Sequence, residues 1–351
     1  MLLTGLLSPL AALAQPAQPA PPVQPGQPHG RHASVISDGH VGPYAPLPRA
    51  SRAWRICALL PHARDKYWWG VSWGLSDEAR LRGIKLGIYQ AGGYEFLPMQ
   101  RLQFDACLKK GADAIVLAAI STDGMNTDIA RAAERGVPVI DLVNGVSSKL
   151  VSARSLVNFQ DMAKLAAQYV LEQSAARAVT VAWFPGPQHA SWVDDAETGL
   201  RRAFQQAPVT VLHGGYAPTE LGAQMGLVRA LLATSTTPPD YFIGNAPAIE
   251  AVANLRRYSP QIKGQPVALY ATEPVVDLVR QGRVLAAVSD SPVLQARIAI
   301  DLALRVLEKQ PYPRRVGPVI DIIDAASVAQ YDYRRVFAPG NQRITQQPLP
   351  D

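Results

Sequence analysis

The chain alternates short apolar segments with longer segments of helical period from Arg55 onward. The apolar segments have the length of strands, and Gly83, Gly111 and Gly136 follow three of the predicted helices. Strands are predicted near residues 56–60, 85–90, 114–119, 137–143, 179–184, 209–213, 241–243, 267–270 and 284–288. This alternation is typical of parallel sheets covered by helices, so the sequence predicts an α/β fold in two similar halves.

The composition excludes several classes of protein. A hydrophobic fraction of 48% with 18% charged residues is ordinary for a folded chain, and 351 residues correspond to about two domains of roughly 150 residues each. The formal charge of +6 comes from scattered arginine pairs, so no nucleic-acid partner is expected. The histidines form no H-x-x-x-H pair, and glycine-rich nucleotide loops are missing, so neither a metal nor a cofactor is predicted.

The first 50 residues differ from the rest. Residues 2–14 are apolar, too short to span a bilayer, and end in Ala12-Leu13-Ala14, the small-x-small form of a signal peptidase site. We expect residues 1–14 to be a signal peptide, with a buried helix start as the alternative. Residues 15–50 are rich in proline and predict an extended spacer. No membrane insertion of the mature protein is expected, and export to an oxidising compartment favours a bridge between Cys57 and Cys107.

Aromatic residues recur where the predicted strands end. Tyr67 and Trp68 begin the helix after the first strand, and Tyr94, Trp192 and Tyr270 follow later strands. Ligands of open α/β sheets bind beyond the carboxyl ends of the strands, so these side chains would converge in a cage. Each ring face attracts a methylated ammonium-like group by roughly 0.5 to 2 kcal/mol. Packing in the core is the alternative for each ring.

Two further segments have competing interpretations. Asp290 follows a predicted strand and either adds a negative charge to the cage or caps the helix that begins near Ser291. Residues 70–74 form a literal G-x-S-x-G, which in a hydrolase lies on a sharp turn between strand and helix. Here the motif falls within a predicted helix, so hydrolysis by Ser72 is only a rival hypothesis and no enzymatic activity is expected.

The sequence also resembles a known family. The segments that carry the resemblance are RAWRICALLPHARDKYWWGVSWGLSDEARLRGIKLGIYQAGGY, QFDACLKKGADAIVLAAIST, VPVIDLVN, FPGP and GRVLAAVSD. They resemble the TorT family of periplasmic trimethylamine N-oxide-binding sensor proteins, within the type I periplasmic binding protein superfamily, over about residues 54–324. The resemblance implies a periplasmic protein with two Rossmann-like lobes, parallel sheets and a three-stranded hinge. Both cysteines stand at positions where the family has cysteines.

The same resemblance implies how the chain divides. The N-terminal lobe would comprise residues 54–155 and 290–315, the C-terminal lobe residues 156–289 and 316–330, and the tail residues 331–351. The chain would cross between the lobes near residues 153–156, 289 and 315.

The resemblance assigns a ligand site as well. Tyr67, Trp68, Tyr94 and Tyr270 match cage positions of the family, whereas Asn245, Tyr270 and Asp290 match ligand-facing positions of the superfamily. The Asp-Arg pair by which sugar binders hold hydroxyls is replaced by Val143 and Asn144, which disfavours sugars.

Two positions depart from the family. Asn158 stands where the family has a cage tryptophan, and Trp192 stands where glycine is expected. Either Trp192 supplies the missing face or the ligand differs, and both residues are predicted to belong to the site.

These inferences predict a sensor that binds trimethylamine N-oxide or a related small methylated oxide or amine and signals to the periplasmic domain of a sensor histidine kinase in a two-component system. The helix face with Trp69 and Trp73 is a candidate docking surface for the kinase. The alternative is the substrate-binding receptor of an ABC importer. A repressor of the same superfamily would need an N-terminal helix-turn-helix in place of the signal and spacer.

Overall fold

The computed structural model describes residues 34–340 and 342–351. The chain first builds most of one lobe. Its elements are β1 (Ser34–Ser37), β2 (His40–Pro43), β3 (Arg55–Leu60), α1 (Lys66–Arg82), β4 (Lys85–Gln90), α2 (Leu97–Lys109), β5 (Ala114–Leu117), α3 (Asn126–Glu134), β6 (Val139–Leu142) and β7 (Ala153–Ser155).

The second lobe and the returning segments follow. They are α4 (Phe159–Gln173), β8 (Val179–Phe184), α5 (Ser191–Phe204), β9 (Val209–His213), α6 (Leu221–Thr234), β10 (Tyr241–Gly244), α7 (Ala246–Tyr258), β11 (Gln265–Ala268), α8 (Glu273–Arg280), β12 (Ala286–Ser289), α9 (Pro292–Leu307), β13 (Arg315–Pro318) and β14 (Asp321–Asp324). A short 3-10 helix, Tyr333–Arg335, lies in the tail.

Each lobe has its own sheet. Among the described residues, the first sheet has the order β2-β1-β13-β7-β6-β5-β3-β4 and the second the order β14-β12-β11-β10-β8-β9. All neighbouring pairs are parallel except those involving β1, β2 and β14. The predicted α/β fold with mostly parallel sheets in two lobes is confirmed. No helix of the described chain is long and apolar enough to cross a membrane.

Three connections join the lobes. The chain passes from β7 to α4 at residues 156–158, from β12 to α9 at residues 290–291, and from β13 to β14 at residues 319–320. The third crossing was expected near Arg315 but follows Pro318, because β13 pairs with β7 and with β1 in the first sheet.

The predicted spacer is wrong from residue 34 onward. Residues 34–43 form a hairpin in which β1 pairs with β2 and Ser37 lies opposite His40. Strand β1 also pairs with β13. Asp38 and Gly39 form the two-residue turn of the hairpin with φ values of 45° and 90°. Asp-Gly is a strong hairpin signal, because both central residues of such a turn need positive φ. The proline content of the surrounding segment concealed it. The predicted signal peptide and residues 15–33 lie outside the described part of the chain.

The C-terminal tail packs on the first lobe. Gln347 forms an antiparallel bridge with Ile88 on the edge strand β4, and the guanidinium of Arg343 lies 4.8 Å from the centre of the Trp69 ring. The tail therefore occupies part of the helix face that was a candidate docking surface for the kinase.

Cys57 on β3 and Cys107 on α2 are joined by a disulfide in the structure, as predicted. Both residues belong to the buried core on one side of the first sheet.

Candidate ligand-binding site

A pocket lies between the two lobes. Of the described residues, those lining it are Asp65, Tyr67, Trp68, Tyr94, Val143 and Asn144 from the first lobe and Phe159, Trp192, Thr219 and Tyr270 from the second. Six of these ten side chains are aromatic, and both lobes contribute rings. The five aromatic residues that were predicted from their places after strands are all among them.

The rings of the cage contact one another mostly edge to face. Tyr67 lies 5.4 Å from Trp68 and 5.5 Å from Tyr270 between ring centres, and Trp192 lies 6.0 Å from Tyr270 and 5.8 Å from Phe159. These separations are in the range that aromatic pairs prefer. The Tyr67–Tyr270 contact joins the lobes, so the cage is complete only when the lobes are close together.

The start of α1 positions two of the rings. The Asp65 side chain accepts a hydrogen bond from the Trp68 backbone N–H at 3.0 Å and so caps the helix. Gly83 ends the helix in the left-handed region, with φ of 73°. The cap places Tyr67 and Trp68 in the first turn, beyond the end of β3.

The wall of the pocket includes a strained residue. Val143 has φ of 62° and follows β6 directly. A β-branched residue in the left-handed region is a conformational outlier, and such residues concentrate at binding sites. The residue after β6 thus combines a strained backbone with a place in the pocket lining.

The pocket contains one acidic group and one buried donor. Burial raises the pKa of the Asp65 carboxyl to about 6, and the backbone N–H groups of Trp68 and Tyr67 oppose this shift. The indole N–H of Trp192 is buried and makes no hydrogen bond of regular geometry within the described residues, although it lies near enough to the Tyr94 hydroxyl to lower the pKa of that group. A buried donor without a good partner costs about 1–3 kcal/mol, which a ligand with an acceptor can recover.

The free space in the cage is small. The cavity volume within which the centre of a water molecule can move is about 30 Å³. At roughly 10–15 Å³ of such volume per water molecule, this is space for about two or three waters. The same measure gives about 270 Å³ for an outer vestibule that shares Tyr94 and Thr219 with the cage. The inner cage is therefore small beside the vestibule that adjoins it.

Two ion pairs cross the cleft beside the cage. Arg64 pairs with Glu220, and Lys66 Nζ lies 2.5 Å from Glu273 Oε2. All four side chains are more than a third exposed, so each pair contributes at most about 1 kcal/mol. Because both cations flank Asp65 in the sequence, the segment that forms the cage also contacts the opposite lobe.

The structure brings five of the predicted ligand residues together at the pocket: Tyr67, Trp68, Tyr94, Trp192 and Tyr270. Asn158, Asn245 and Asp290 lie outside the lining. Asn245 is fully buried and caps α7, accepting from Ala248 N–H at 3.1 Å and donating to Phe184 O at 3.1 Å. Its hydrogen-bonding groups serve the fold.

Asn158 is exposed and caps α4, accepting from the Gln160 N–H at 2.9 Å. The next residue, Phe159, faces the pocket instead, because consecutive residues at a helix start point in different directions. Asp290 is buried behind the cage and accepts a hydrogen bond from the Tyr67 hydroxyl. The structure therefore places neither residue in the pocket lining, where both were expected.

The sequence prediction missed Asp65 and Phe159. Asp65 could have been found from its place directly before a helix, where aspartate is a preferred cap. Phe159 stands beside the residue that was aligned with the family's tryptophan, so the aromatic side chain is displaced by one position.

Replacing Asn158 by alanine is expected to lower the free energy of unfolding by about 1 kcal/mol, because α4 loses its cap. Affinity for trimethylamine N-oxide should stay unchanged, since the side chain is outside the pocket. Chemical denaturation and calorimetric titration check the two effects. A clear loss of affinity at unchanged stability would show that Asn158 reaches the ligand.

Comparisons with known proteins identify the family of the chain. The periplasmic binding protein domain family matches residues 57–311. The periplasmic protein TorT of Escherichia coli K12 is 30% identical over 297 residues, which are 84% of this chain and 85% of TorT.

Two solved structures are also similar. A Bradyrhizobium ABC transporter solute-binding protein with bound Bis-Tris is 35% identical, with a TM-score of 0.78 and coverage of 90% of this chain and 98% of that one. TorT in complex with the TorS sensor domain in the presence of TMAO is 26% identical, with a TM-score of 0.75 and coverage of 84% and 100%. The predicted resemblance and periplasmic location are confirmed: the chain belongs to the periplasmic binding protein family and is a periplasmic ligand-binding protein related to TorT.

Proposed function

We propose that the protein is a periplasmic sensor of trimethylamine N-oxide, or of a similar small N-oxide, that signals to the periplasmic domain of a sensor histidine kinase. The observation that carries the proposal is a cage of six aromatic residues that contains the buried indole N–H of Trp192, a donor without a hydrogen bond of regular geometry in the described structure. The cage binds methyl groups on a positive nitrogen, and the N–H binds the oxide oxygen.

The chemistry of an N-oxide fits both parts of the pocket. Its nitrogen bears a formal positive charge, which the ring faces and the Asp65 carboxylate attract. Its oxygen bears the negative charge and accepts hydrogen bonds only. A quaternary ammonium ion would leave the Trp192 N–H without an acceptor, whereas a neutral alcohol would lack the charge that the rings attract.

Lobe closure provides the signal. Because Tyr67 and Tyr270 contact each other across the cleft, a ligand held between them binds the closed arrangement more tightly than an open one. A ligand shifts the populations of two arrangements only by the difference between its affinities for them. The solved complex of the relative TorT with the TorS sensor domain supports a kinase as the reader of that arrangement.

Calorimetric titration with ligands of matched shape tests the proposal. Trimethylamine N-oxide should bind, while tert-butanol and tetramethylammonium, which have almost the same shape, should bind at least tenfold more weakly. Ribose serves as the control for sugar binding. Binding of ribose without any response to the N-oxide would contradict the proposal.

A receptor of an ABC importer is the second candidate. It is favoured by the similarity to the Bradyrhizobium solute-binding protein, whose bound Bis-Tris is a hydroxylated tertiary amine. The two candidates share the ligand site and differ in the partner. A kinase gene beside this gene would favour sensing, whereas genes for an ATPase and a permease would favour import.

A further inference from the structure

Asp290 lies behind the cage, where the chain crosses from the second lobe to the first. It is fully buried, and its Oδ2 accepts hydrogen bonds from the Tyr67 hydroxyl at 2.6 Å and from the Gln295 amide at 2.9 Å. A distance of 2.6 Å is in the range of a hydroxyl that donates to a carboxylate. The single proton of Tyr67 is therefore committed to Asp290.

A second tyrosine of the cage, Tyr94, also has a hydrogen-bond partner in the protein. Tyr94 donates to the Asn144 side-chain oxygen at 3.3 Å, so its proton is also directed at the protein. The hydroxyls of Tyr67, Tyr94 and Tyr270 are electrostatic neighbours, since Tyr94 raises the pKa of the other two and Tyr270 raises that of Tyr67, although burial is the largest cause. The polar ends of the three rings thus lie close together.

This proton arrangement determines what the cage can accept. A hydroxyl whose proton is used elsewhere offers only its oxygen lone pairs. Tyr67 therefore presents an acceptor, as does the Asp65 carboxylate, whereas the Tyr94 oxygen already lies beside the Trp192 indole N–H. An N-oxide oxygen finds its donor in Trp192, whereas a protonated amine can donate its N–H to the acceptors.

We propose that the cage also binds small protonated tertiary amines, and that Asp290 is the positioning residue that allows this by holding the Tyr67 hydroxyl as an acceptor. The proposal rests on the proposed function, because it uses the same cage. Asp290 sets the ratio between amine and N-oxide affinity through Tyr67, without touching either ligand.

The structure suggests two variants with different effects. In Asp290→Asn, the Gln295 amide N–H still requires an oxygen at the Oδ2 position, so the asparagine oxygen stays there and still accepts the Tyr67 proton. In Asp290→Ala, the acceptor is removed and the Tyr67 hydroxyl is free to donate into the cage. The first variant should therefore preserve the ligand preference, and the second should change it.

Titration calorimetry at neutral pH with trimethylammonium chloride and with trimethylamine N-oxide tests the proposal. The wild-type protein should bind both. Asp290→Ala should shift the ratio of the two dissociation constants about tenfold toward the N-oxide, and Asp290→Asn should leave the ratio close to that of the wild type. Tyr67→Phe, which keeps the ring, should weaken trimethylammonium about tenfold and the N-oxide much less.

The outcomes separate the two proposals. Binding of the N-oxide without trimethylammonium would overturn this inference and leave the proposed function intact, while binding of neither ligand would overturn both. If Asp290→Ala and Tyr67→Phe each weakened the binding of both ligands by the same factor, Asp290 would have only a structural role. Should Asp290→Ala fail to fold, Tyr67→Phe decides alone. The measured quantity is the ratio of two affinities, which does not depend on the folded fraction of the sample.

Discussion

Replacing Trp192 by alanine is expected to weaken the binding of trimethylamine N-oxide about a hundredfold. The change removes a ring face that contributes roughly 0.5–2 kcal/mol and a hydrogen bond from a buried donor that contributes about 1 kcal/mol or more. Together these amount to about 2–3 kcal/mol, which is around two factors of ten in the dissociation constant. Calorimetric titration measures the effect directly.

Trp192→Phe divides this loss into its two parts. Phenylalanine keeps an aromatic face but has no N–H, so we expect a loss of about tenfold for the N-oxide and almost none for tetramethylammonium. Trp69→Phe is the matched control, because the Trp69 N–H donates to the Ala63 carbonyl at 2.9 Å and its ring is outside the pocket. Unchanged N-oxide binding in Trp192→Phe would show that the oxygen does not lie at the indole N–H.

The parts of the site that sequence reasoning recovered share a physical cause. Tyr67, Trp68, Tyr94, Trp192 and Tyr270 all follow strands of parallel sheets, and the carboxyl ends of such strands meet at one edge. Periodicity locates the strands, so it also locates these side chains to within a few residues. The fold class and the aromatic character of the pocket were therefore predictable without any distance.

The parts of the site that sequence reasoning missed depend on the direction of a side chain and on contacts between residues far apart in the sequence. Asn158 and Phe159 are adjacent, and only the geometry of the α4 cap decides which of them faces the cleft. The role of Asp290 depends on a hydrogen bond to a residue 223 positions away in the sequence. No pattern of residue types reports that contact, and the sequence is equally compatible with Asp290 as a helix cap.

The site and the hinge are connected through single residues. Tyr67 contacts Tyr270 across the cleft with its ring and Asp290 at the second crossing with its hydroxyl. Ser291, the next residue, is buried and has a positive φ of 51°. Such a conformation persists only where the surrounding structure holds it. Ligand contact with Tyr67 and lobe closure are thus expected to change together.

Removing the disulfide with Cys57→Ala and Cys107→Ala should lower the free energy of unfolding by about 2–4 kcal/mol. The two cysteines are separated by 50 positions, and a cross-link over a loop of that length restricts the unfolded chain strongly. Alanine is preferred to serine because both positions are buried, where a hydroxyl without a partner would add a cost of its own. Chemical denaturation of both proteins measures the difference.

Reductant provides the matched control for this change. Wild-type protein denatured in dithiothreitol should approach the stability of the double variant, whereas the double variant itself should not respond. Affinity for the ligand should fall little, because neither cysteine lines the pocket. Equal stability of the oxidised wild type and the variant would mean that the bridge does not constrain the first lobe. A large loss of affinity would instead mean that the bridge from β3 to α2 holds the loop after β3, which carries Asp65, Tyr67 and Trp68 to the cage.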